Sequence, residues 1–309
     1  MKIDICGFYG FGNMGDEAVL QAIMEELGDN EYIISTSLPI HLFERYRKII
    51  GKELRMHEDM RTDFDAYILG GGELNWGYGW RQCLSIFSKN MPCMNYGVSY
   101  NTKYYYSEKL HSLYNEFLSW FGAITVRDEF SLRLLEKIGL EPVLTFDPAV
   151  NLKTIPFECP ENKIAVFPRY EDYPLSNQPQ IDWLVQELKD VAGNVVLVPC
   201  APVNTEGVPV DWALCKEIHD RLKGSEILNI SPFEPGKFKH FISKSKIVYS
   251  GGRYHPLIFA IAHDIPYKIS PTANSYSKIQ FITEMHKKYG RNGLIKLANL
   301  NKQIFLRMK

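Results

Sequence analysis

The stretch from residue 247 to residue 269 constrains the fold of this chain most strongly. It begins with Ile247-Val-Tyr-Ser250, an apolar run typical of a buried parallel strand. Two glycines follow, and then apolar residues recur at helical spacing from Leu257 to Ala262. A second strand is predicted from Pro266 to Ile269. This order of strand, loop, helix and strand indicates one βαβ unit of a parallel sheet.

The loop of this unit carries two side chains suited to anion chemistry, Arg253 and His255. An arginine is a permanent cation whose fork matches carboxylate or phosphate, and a histidine exchanges a proton near neutral pH. Ligands of open α/β sheets bind beyond the carboxyl ends of the strands, where a helix N-terminus favours an anion. We therefore expect a ligand site here. A capped helix with a surface arginine and a structural histidine is the alternative.

The alternation of strand and helix patterns continues along the whole chain, which predicts the α/β class with parallel sheets. Strands are predicted at 2–6, 32–35, 64–69, 93–98, 123–126, 142–146, 163–167, 194–198, 226–228 and 246–249. Helices of the second half are predicted near 178–191, 210–223, 234–243 and 254–263. Residues 151–162 are rich in proline and polar side chains, which is typical of a linker. At roughly 100–200 residues per domain, we predict two domains, 1–155 and 156–309.

A glycine-rich loop follows the first predicted strand. Gly10-Phe-Gly-Asn-Met-Gly15 has the G-x-G-x-x-G spacing of dinucleotide-binding loops, but the next predicted strand ends in Ser35 and Thr36 and not in an acid. This argues against a nicotinamide cofactor. Asp16 is predicted to cap the helix that follows.

A second glycine-rich loop, Gly70-Gly-Gly-Glu73, precedes three large aromatic residues, Trp76, Tyr78 and Trp80. These side chains could offer flat surfaces to a sugar ring. They could equally pack together and hold the loop against the protein.

Composition excludes several classes of protein. The net charge of −1 gives no global attraction to nucleic acid, and no apolar run approaches the roughly 18 residues of a membrane span. The six cysteines show no C-x-x-C or zinc spacing, so we expect no metal site. With an amino terminus too charged for a signal peptide, this predicts a cytoplasmic protein.

Six motifs in one order resemble the polysaccharide pyruvyl transferase family from residue 3 to about residue 280. They are Gly7-Phe-Tyr-Gly-Phe-Gly-Asn-Met-Gly-Asp-Glu-Ala18, the strand into Gly70-Gly-Gly72, Val126-Arg-Asp-Glu-Phe-Ser131, Asp147-Pro-Ala149, Arg253-Tyr-His255 and Tyr276-Ser-Lys278. The resemblance implies two Rossmann-like domains facing each other across a cleft, a GT-B-like arrangement. It also implies transfer of a pyruvyl group from phosphoenolpyruvate to a sugar of a surface polysaccharide or its precursor, as a cyclic ketal.

By this resemblance the catalytic residues are Arg127, Arg253, His255 and Lys278, with Lys268 as a competitor for the role of the lysine. The two arginines would clamp the donor from opposite domains, and no step requires a metal or cofactor. The expected substrate-binding residues are Gly10, Asn13, Asp16, Gly71, Gly72, Glu73, Trp76, Tyr78, Trp80 and Asp147. Asp147 and Glu73 could accept hydroxyl protons or serve as caps and loop hydrogen-bond acceptors.

Two other functions remain open from the sequence. A GT-B glycosyltransferase would use a nucleotide sugar, and a non-catalytic protein would only bind glycans. The chain from Met285 to Lys309 contains seven basic residues and no acid, around one apolar helical face. This segment is predicted to pack back on the first domain. Alternatively, it could hold the protein at an anionic inner membrane face, near a lipid-linked acceptor.

Overall fold

The computed structural model describes residues 1–36, 40–56, 63–74, 91–100, 112, 115–170, 177–201, 210–275 and 277–308. The chain forms two compact units. The first contains Met1–Gly10, Val19–Asn151 and Asn292–Lys309, and the second contains Phe11–Ala18 and Leu152–Arg291.

Parallel strands form the sheet of the first unit. Within the described residues it has eight strands: β1 (Lys2–Cys6), β2 (Glu31–Thr36), β3 (Glu53–Met56), β4 (Ala66–Gly70), β5 (Glu73–Leu74), β6 (Cys93–Tyr100), β7 (Ala123–Val126) and β8 (Val143–Leu144). Their order is β3-β2-β1-β4-β6-β7-β8, with β5 paired to β6. The chain reverses its direction across the sheet between β1 and β4, which makes this the topological switch point.

Helices accompany this sheet and bury its apolar strands. They are α1 (Met14–Leu27), α2 (Ile40–Ile50) and α3 (Glu129–Lys137). Asp128 caps α3 by accepting a hydrogen bond from Ser131 N at 2.7 Å. Buried Leu134 and Leu135 on α3 pack in one core cluster with Leu69 of β4 and Val126 of β7. The predicted elements do not include α2 and β3, and β8 is shorter than predicted.

The second unit repeats the same architecture with five strands in its described part. These are β9 (Ile164–Phe167), β10 (Val195–Leu197), β11 (Glu226–Ile227), β12 (Ile247–Ser250) and β13 (Tyr267–Ile269), in the order β11-β10-β9-β12-β13. Its helices are α4 (Gln178–Leu188), α5 (Asp211–Arg221), α6 (Pro235–Ser243) and α7 (Tyr254–Ala262). The switch point lies between β9 and β12, so the βαβ unit singled out in the sequence borders it.

The longer segment of the second unit begins at Leu152, and the sequence predicts the domain boundary at residue 155. Leu152 O accepts a hydrogen bond from the buried amine of Lys239 on α6 at 2.6 Å. Ile155 N donates to Gly236 O at 3.0 Å. The linker is therefore docked on α6 and ordered as part of this unit.

The last helix, α8 (Ser277–Arg307), is broken at Gly290, where φ is 61°. Two glycines in the run Gly290-Arg-Asn-Gly293 predict a helix break there, and the structure has it at the first of them. Beyond it, Leu294, Ala298, Asn301 and Phe305 are fully buried, and residues 292–309 group with the first unit. No helix in the described ranges is both long and apolar enough to cross a membrane.

Candidate active site

The loop after β12 positions Arg253 at the switch point of the second sheet. Ser250 Oγ donates to Arg253 O at 2.8 Å, and Gly252, at φ 115°, donates its N–H to Ser250 Oγ at 3.2 Å. Because φ in this region favours glycine, the turn depends on Gly252. A Cβ atom at Gly251 would lie 2.5 Å from Cδ of Gln180, so the loop is packed tightly against α4.

Asp211, the first residue of α5, anchors the Arg253 guanidinium. Its fully buried carboxylate accepts a charge-assisted hydrogen bond from Nη2 of Arg253, whose side chain is 17% exposed. The same carboxylate accepts N–H groups from Tyr170 at 3.1 Å, Cys200 at 3.2 Å and Ala201 at 2.9 Å. One carboxylate thus joins the carboxyl ends of β9, β10 and β12.

His255 lies in the first turn of α7 and is 9% exposed. Its ring packs edge-on against Tyr254, with 5.3 Å between the centroids. Gly15, in the first turn of α1, lies against the other part of the ring: a Cβ atom there would be 2.8 Å from Cγ of His255. Both residues belong to the second unit, and Met14 N donates to Cys200 O at 3.0 Å within it.

Asn13 caps α1 and so fixes the glycine loop beside His255. Its Oδ1 accepts from Gly15 N at 3.2 Å, and its Nδ2 donates to Oδ2 of Asp16 at 2.6 Å. The sequence assigns this cap to Asp16, which is wrong because the helix already begins at Met14. Asp16 lies inside the first turn and orients Asn13.

In the first unit, Arg127 follows β7 and is only 2% exposed. Its Nη1 donates to Oδ2 of Asp147 at 2.5 Å, and its Nε donates to Ser99 Oγ at 2.6 Å. Ser99 Oγ in turn donates to Oδ2 of Asp128 at 2.6 Å. Asp147 also accepts from Ala149 N at 2.9 Å. Arg127 and Asp147, two of the expected site residues, are therefore partners in one buried network.

The two carboxylates of this network, Asp128 and Asp147, have different surroundings. Burial raises the pKa of Asp128, while hydrogen bonds from Ser99 and Ser131 and the charge of Arg127 oppose that rise. Asp147 serves as a loop hydrogen-bond acceptor and an ion-pair partner. Acceptance of hydroxyl protons by Asp147 stays a prediction.

The glycines at the switch point of the first sheet surround Tyr9. Gly10, Gly71 and Gly72 have φ of 87°, 93° and 60°, a region that side chains disfavour. A Cβ atom at Gly71 would lie 3.2 Å from the hydroxyl of Tyr9, whose ring is fully buried. Gly71 therefore makes room for Tyr9. Contact of Gly10, Gly71 and Gly72 with a substrate stays a prediction.

The two candidate lysines differ in their surroundings. Lys268, on β13, donates to Oε2 of Glu187 at 2.8 Å, a hydrogen bond that raises its pKa, and lies 5.4 Å from the centroid of the Tyr249 ring. Lys278 is the second residue of α8 and is partly buried. Lys268 is thus bound to α4. The choice between Lys278 and Lys268 for the role of the lysine stays a prediction.

The remaining expected residues lie at the edge of the described structure or outside it. Glu73 is the first residue of β5, and Trp76, Tyr78 and Trp80 lie outside the described residues. Within the described part of the chain, no three His, Cys, Asp or Glu residues cluster in a way that could hold a metal ion.

A model of the family "Polysaccharide pyruvyl transferase" matches residues 13–266. The chain belongs to the polysaccharide pyruvyl transferase family. The match covers Arg127, Arg253 and His255 and ends before Lys278. No curated protein matches this chain.

Solved structures of sugar-nucleotide proteins share the fold of this family member. A putative UDP-N-acetylglucosamine 2-epimerase from Listeria monocytogenes has a TM-score of 0.56 at 11% identity, covering 99% of this chain and 94% of that one. The S. aureus MnaA–UDP co-structure has a TM-score of 0.55 at 12% identity, covering 100% and 97%. Anabaena Alr3699/HepE in complex with UDP-glucose has a TM-score of 0.54 at 10% identity, covering 100% of this chain and 97% of that one. These likenesses confirm the predicted α/β fold class with two Rossmann-like domains.

Two residues that organise the site of this pyruvyl transferase family member were missed in the sequence. Asp211 opens a helix more than forty positions before Arg253, and no spacing rule connects the two. In the sequence, Gly15 belongs to the dinucleotide-like glycine spacing and to the Gly7–Ala18 motif of the family resemblance, and neither assigns it a contact. Its glycine signal was present, but the contact that requires it involves a histidine far along the chain.

Proposed function

We propose that this protein transfers a pyruvyl group from phosphoenolpyruvate to two hydroxyls of a sugar, forming a cyclic ketal. One observation carries the proposal. Arg253 and His255 follow one strand at the switch point of the second sheet, and each is held by a buried neighbour, Asp211 or Gly15. A fixed anion-binding fork beside a fixed proton-transfer group is what this donor requires.

Phosphoenolpyruvate carries a carboxylate and a phosphate on three carbons. The Arg253 fork suits bidentate binding of either group, and its hydrogen bond to Asp211 limits the rotamers available to it. The N-terminus of α7, which begins at Tyr254, adds backbone N–H groups and a partial positive charge. We assign donor binding to this corner of the second unit.

His255 is the proposed proton-transfer group. The reaction begins when a proton adds to the methylene carbon of the donor, which turns C2 into an oxocarbenium-like centre. A sugar hydroxyl attacks C2 and loses its proton, and the C2–O bond to phosphate breaks. The second hydroxyl then attacks C2 and closes the ring. One proton is consumed at carbon and two are released from hydroxyls, of which the leaving phosphate takes one.

Lys278 is proposed to neutralise the departing phosphate, and Arg127 to contribute to the donor clamp. Arg127 is held in its buried network by Asp147 and Ser99. The steps involve only proton transfer and carbon–oxygen bonds, so the residues of this chain suffice for the chemistry.

Donor release tests the proposal directly. Phosphate release from phosphoenolpyruvate is measured with and without a panel of sugar acceptors, beside nucleotide release from sugar nucleotides. We expect acceptor-dependent phosphate release that survives a chelator. Nucleotide release without any phosphate release would instead establish a glycosyltransferase, and binding of glycans with neither product would establish a non-catalytic protein.

Substitution of His255 tests the mechanism. His255→Ala should lower kcat by about 10²–10⁴-fold, the usual contribution of a general acid–base group. His219→Ala, on α5 of the same unit, is the matched control because His219 bonds Ser225, which precedes the amino end of β11 and not the carboxyl ends of the strands. If His255→Ala and His219→Ala turn over at similar rates, His255 is structural.

A further inference from the structure

Gln180 lies in the first turn of α4 and is 2% exposed, although its side chain ends in a polar amide. Both ends of that amide bind the backbone of a single residue. Oε1 of Gln180 accepts from Arg169 N at 3.0 Å, and Nε2 donates to Arg169 O at 3.0 Å. A buried amide is costly unless it is hydrogen-bonded, so these two bonds account for a glutamine at this place.

Arg169 lies two residues beyond the end of β9, outside the strand pairs of the second sheet. The pairing of β9 with β12 ends with Phe167 opposite Ser250, and the next residue, Pro168, has no N–H to donate. The Gln180 amide offers Arg169 one donor and one acceptor, as a paired strand would. It thus keeps the chain in place beyond the carboxyl end of β9, at the edge of the sheet where ligands bind.

The same amide packs against the loop that carries Arg253 and His255. A Cβ atom at Gly251 would collide with Oε1 of Gln180 and would lie 2.5 Å from its Cδ. Gly251 also donates its N–H to Phe167 O at 2.9 Å. The first residue of the loop is therefore held between β9 and the Gln180 side chain, two positions before Arg253.

Gln180 acts on Arg253 by a second route, through Asp211. Tyr170, the residue after Arg169, donates its N–H to Asp211 at 3.1 Å, and Asp211 binds the guanidinium of Arg253. One amide thus supports the loop from which the arginine projects and the backbone that contacts its carboxylate partner. A change in this amide should displace the arginine at both ends.

We propose that Gln180 is a positioning residue for the donor site, which sets the places of Arg253 and His255 by holding the two loops beside them. This inference rests on the proposed function, because that function assigns donor binding to Arg253 and proton transfer to His255. Neither the sequence motifs nor the family resemblance gives Gln180 a role.

Calorimetric binding of phosphoenolpyruvate, beside steady-state kinetics and melting curves, tests the assignment. Gln180→Met keeps the length of the side chain and removes both hydrogen bonds to Arg169. Gly251→Ala disturbs the same contact from the loop, because its added Cβ atom would displace the amide. Gln178→Met is the matched control on α4, since Gln178 makes only an exposed bond to Asp182 at 2.8 Å. Binding is measured well below each melting temperature, so that every protein is folded.

We expect Gln180→Met and Gly251→Ala each to raise the Kd for phosphoenolpyruvate about tenfold, the size of one weakened charge-assisted hydrogen bond. Each should also lower kcat by up to about 10²-fold, because His255 is displaced with the loop. The double variant should be little worse than either single variant, since both changes disturb one contact.

A Gln180→Met protein with a lowered melting temperature, but with the Kd and kcat of Gln178→Met, would show that Gln180 only stabilises the fold. The inference would then be wrong, and the proposed donor would stand. If Gln180→Met does not fold, Gly251→Ala decides between the same two outcomes. Absence of any phosphoenolpyruvate binding by the parent protein would overturn both the inference and the proposed function.

Discussion

A Cβ atom at Gly15 would lie 2.8 Å from Cγ of His255, closer than carbon atoms approach without a shift. The His255 ring therefore requires a glycine at the third glycine position of the Gly10-Phe-Gly-Asn-Met-Gly15 loop. The α1 helix starts here because Asn13 caps it, and its first turn forms one wall around the His255 imidazole.

Gly15→Ala should displace His255 while the protein remains folded. Misplacement of a catalytic group by about 1 Å costs on the order of 10²-fold in rate, so kcat should fall strongly with little change in the Kd for phosphoenolpyruvate. The measurement is steady-state kinetics beside calorimetric binding. Gly193→Ala is the control, because a Cβ atom there would meet nothing within 4 Å. Equal kcat values for the two variants would show that the imidazole position is unimportant.

Asp211→Asn should weaken both stability and donor binding. The variant removes the negative charge that pairs with Arg253. It also replaces an accepting oxygen with an NH₂ group, which cannot accept the hydrogen bonds that the carboxylate receives. Loss of one partner of a buried ion pair costs about 3–5 kcal/mol; since Arg253 is partly exposed, we expect the lower end of that range. Thermal unfolding and phosphoenolpyruvate titration report the two effects. Asp182→Asn, which removes the charge of the exposed pair with Arg221, should change stability little. An effect of Asp211→Asn as small as this would contradict the anchoring role.

The fold was largely predictable from the sequence because local patterns encode it. Apolar runs such as Ile247-Val-Tyr-Ser250 and helical periodicity on α7 each depend on neighbouring residues only. The partners within the site were not predictable in this way. Asp211 reaches Arg253, and Asn301 reaches Thr125, through contacts between elements distant in the chain. The motif around Arg127 was recognisable in the sequence. The burial of its side chain was not, because burial depends on how the strand ends pack.

The Arg127–Asp147 pair predicts a strong energetic coupling. Arg127→Met leaves a buried carboxylate without its partner, and Asp147→Asn leaves a buried guanidinium, so each should destabilise the protein by about 3–5 kcal/mol. The double variant should be less unstable than the sum of the two, because neither charge is then left alone. Urea unfolding of the four proteins measures the coupling. Additive effects would mean that the two groups do not stabilise each other.

Asp4 should make the protein less stable as the pH rises. Burial raises the pKa of this carboxyl to about 7 in the folded state, and the negative charges of Asp63 and Glu53 raise it further. The hydrogen bond from Ser35 and the positive charge of Arg55 lower it. Since the ordinary value is 3.8, the folded state binds more protons than the unfolded state between these values. The stability contributed by the protonated form is thus progressively lost from about pH 4 to pH 7.

Asp4→Asn removes the cost of burying an ionised carboxylate and keeps a group of the same shape beside Ser35. The variant should melt at a higher temperature than the parent at pH 8, and the difference should shrink towards pH 4, in melting curves at matched ionic strength. Asp65→Asn is the control on the same unit, since Asp65 accepts Lys2 N at an exposed position. A constant difference between Asp4→Asn and the parent across this range would show that Asp4 does not titrate as expected.

Asn301 should anchor the last helix to the first unit. It is fully buried, its Oδ1 accepts from Thr125 Oγ1 at 2.6 Å, and its Nδ2 donates to Phe146 O at 3.0 Å, one residue before Asp147. Asn301→Leu leaves Phe146 O without this donor, a loss of about 1–3 kcal/mol that should lower the melting temperature. Asn299→Ala, on the same helix, removes only an exposed bond to Asn151 and should have little effect. Because Asp147 holds Arg127, Asn301→Leu should also weaken donor use if Arg127 belongs to the clamp. A variant lacking residues 293–309 that stays folded would show instead that this helix is dispensable for the first unit.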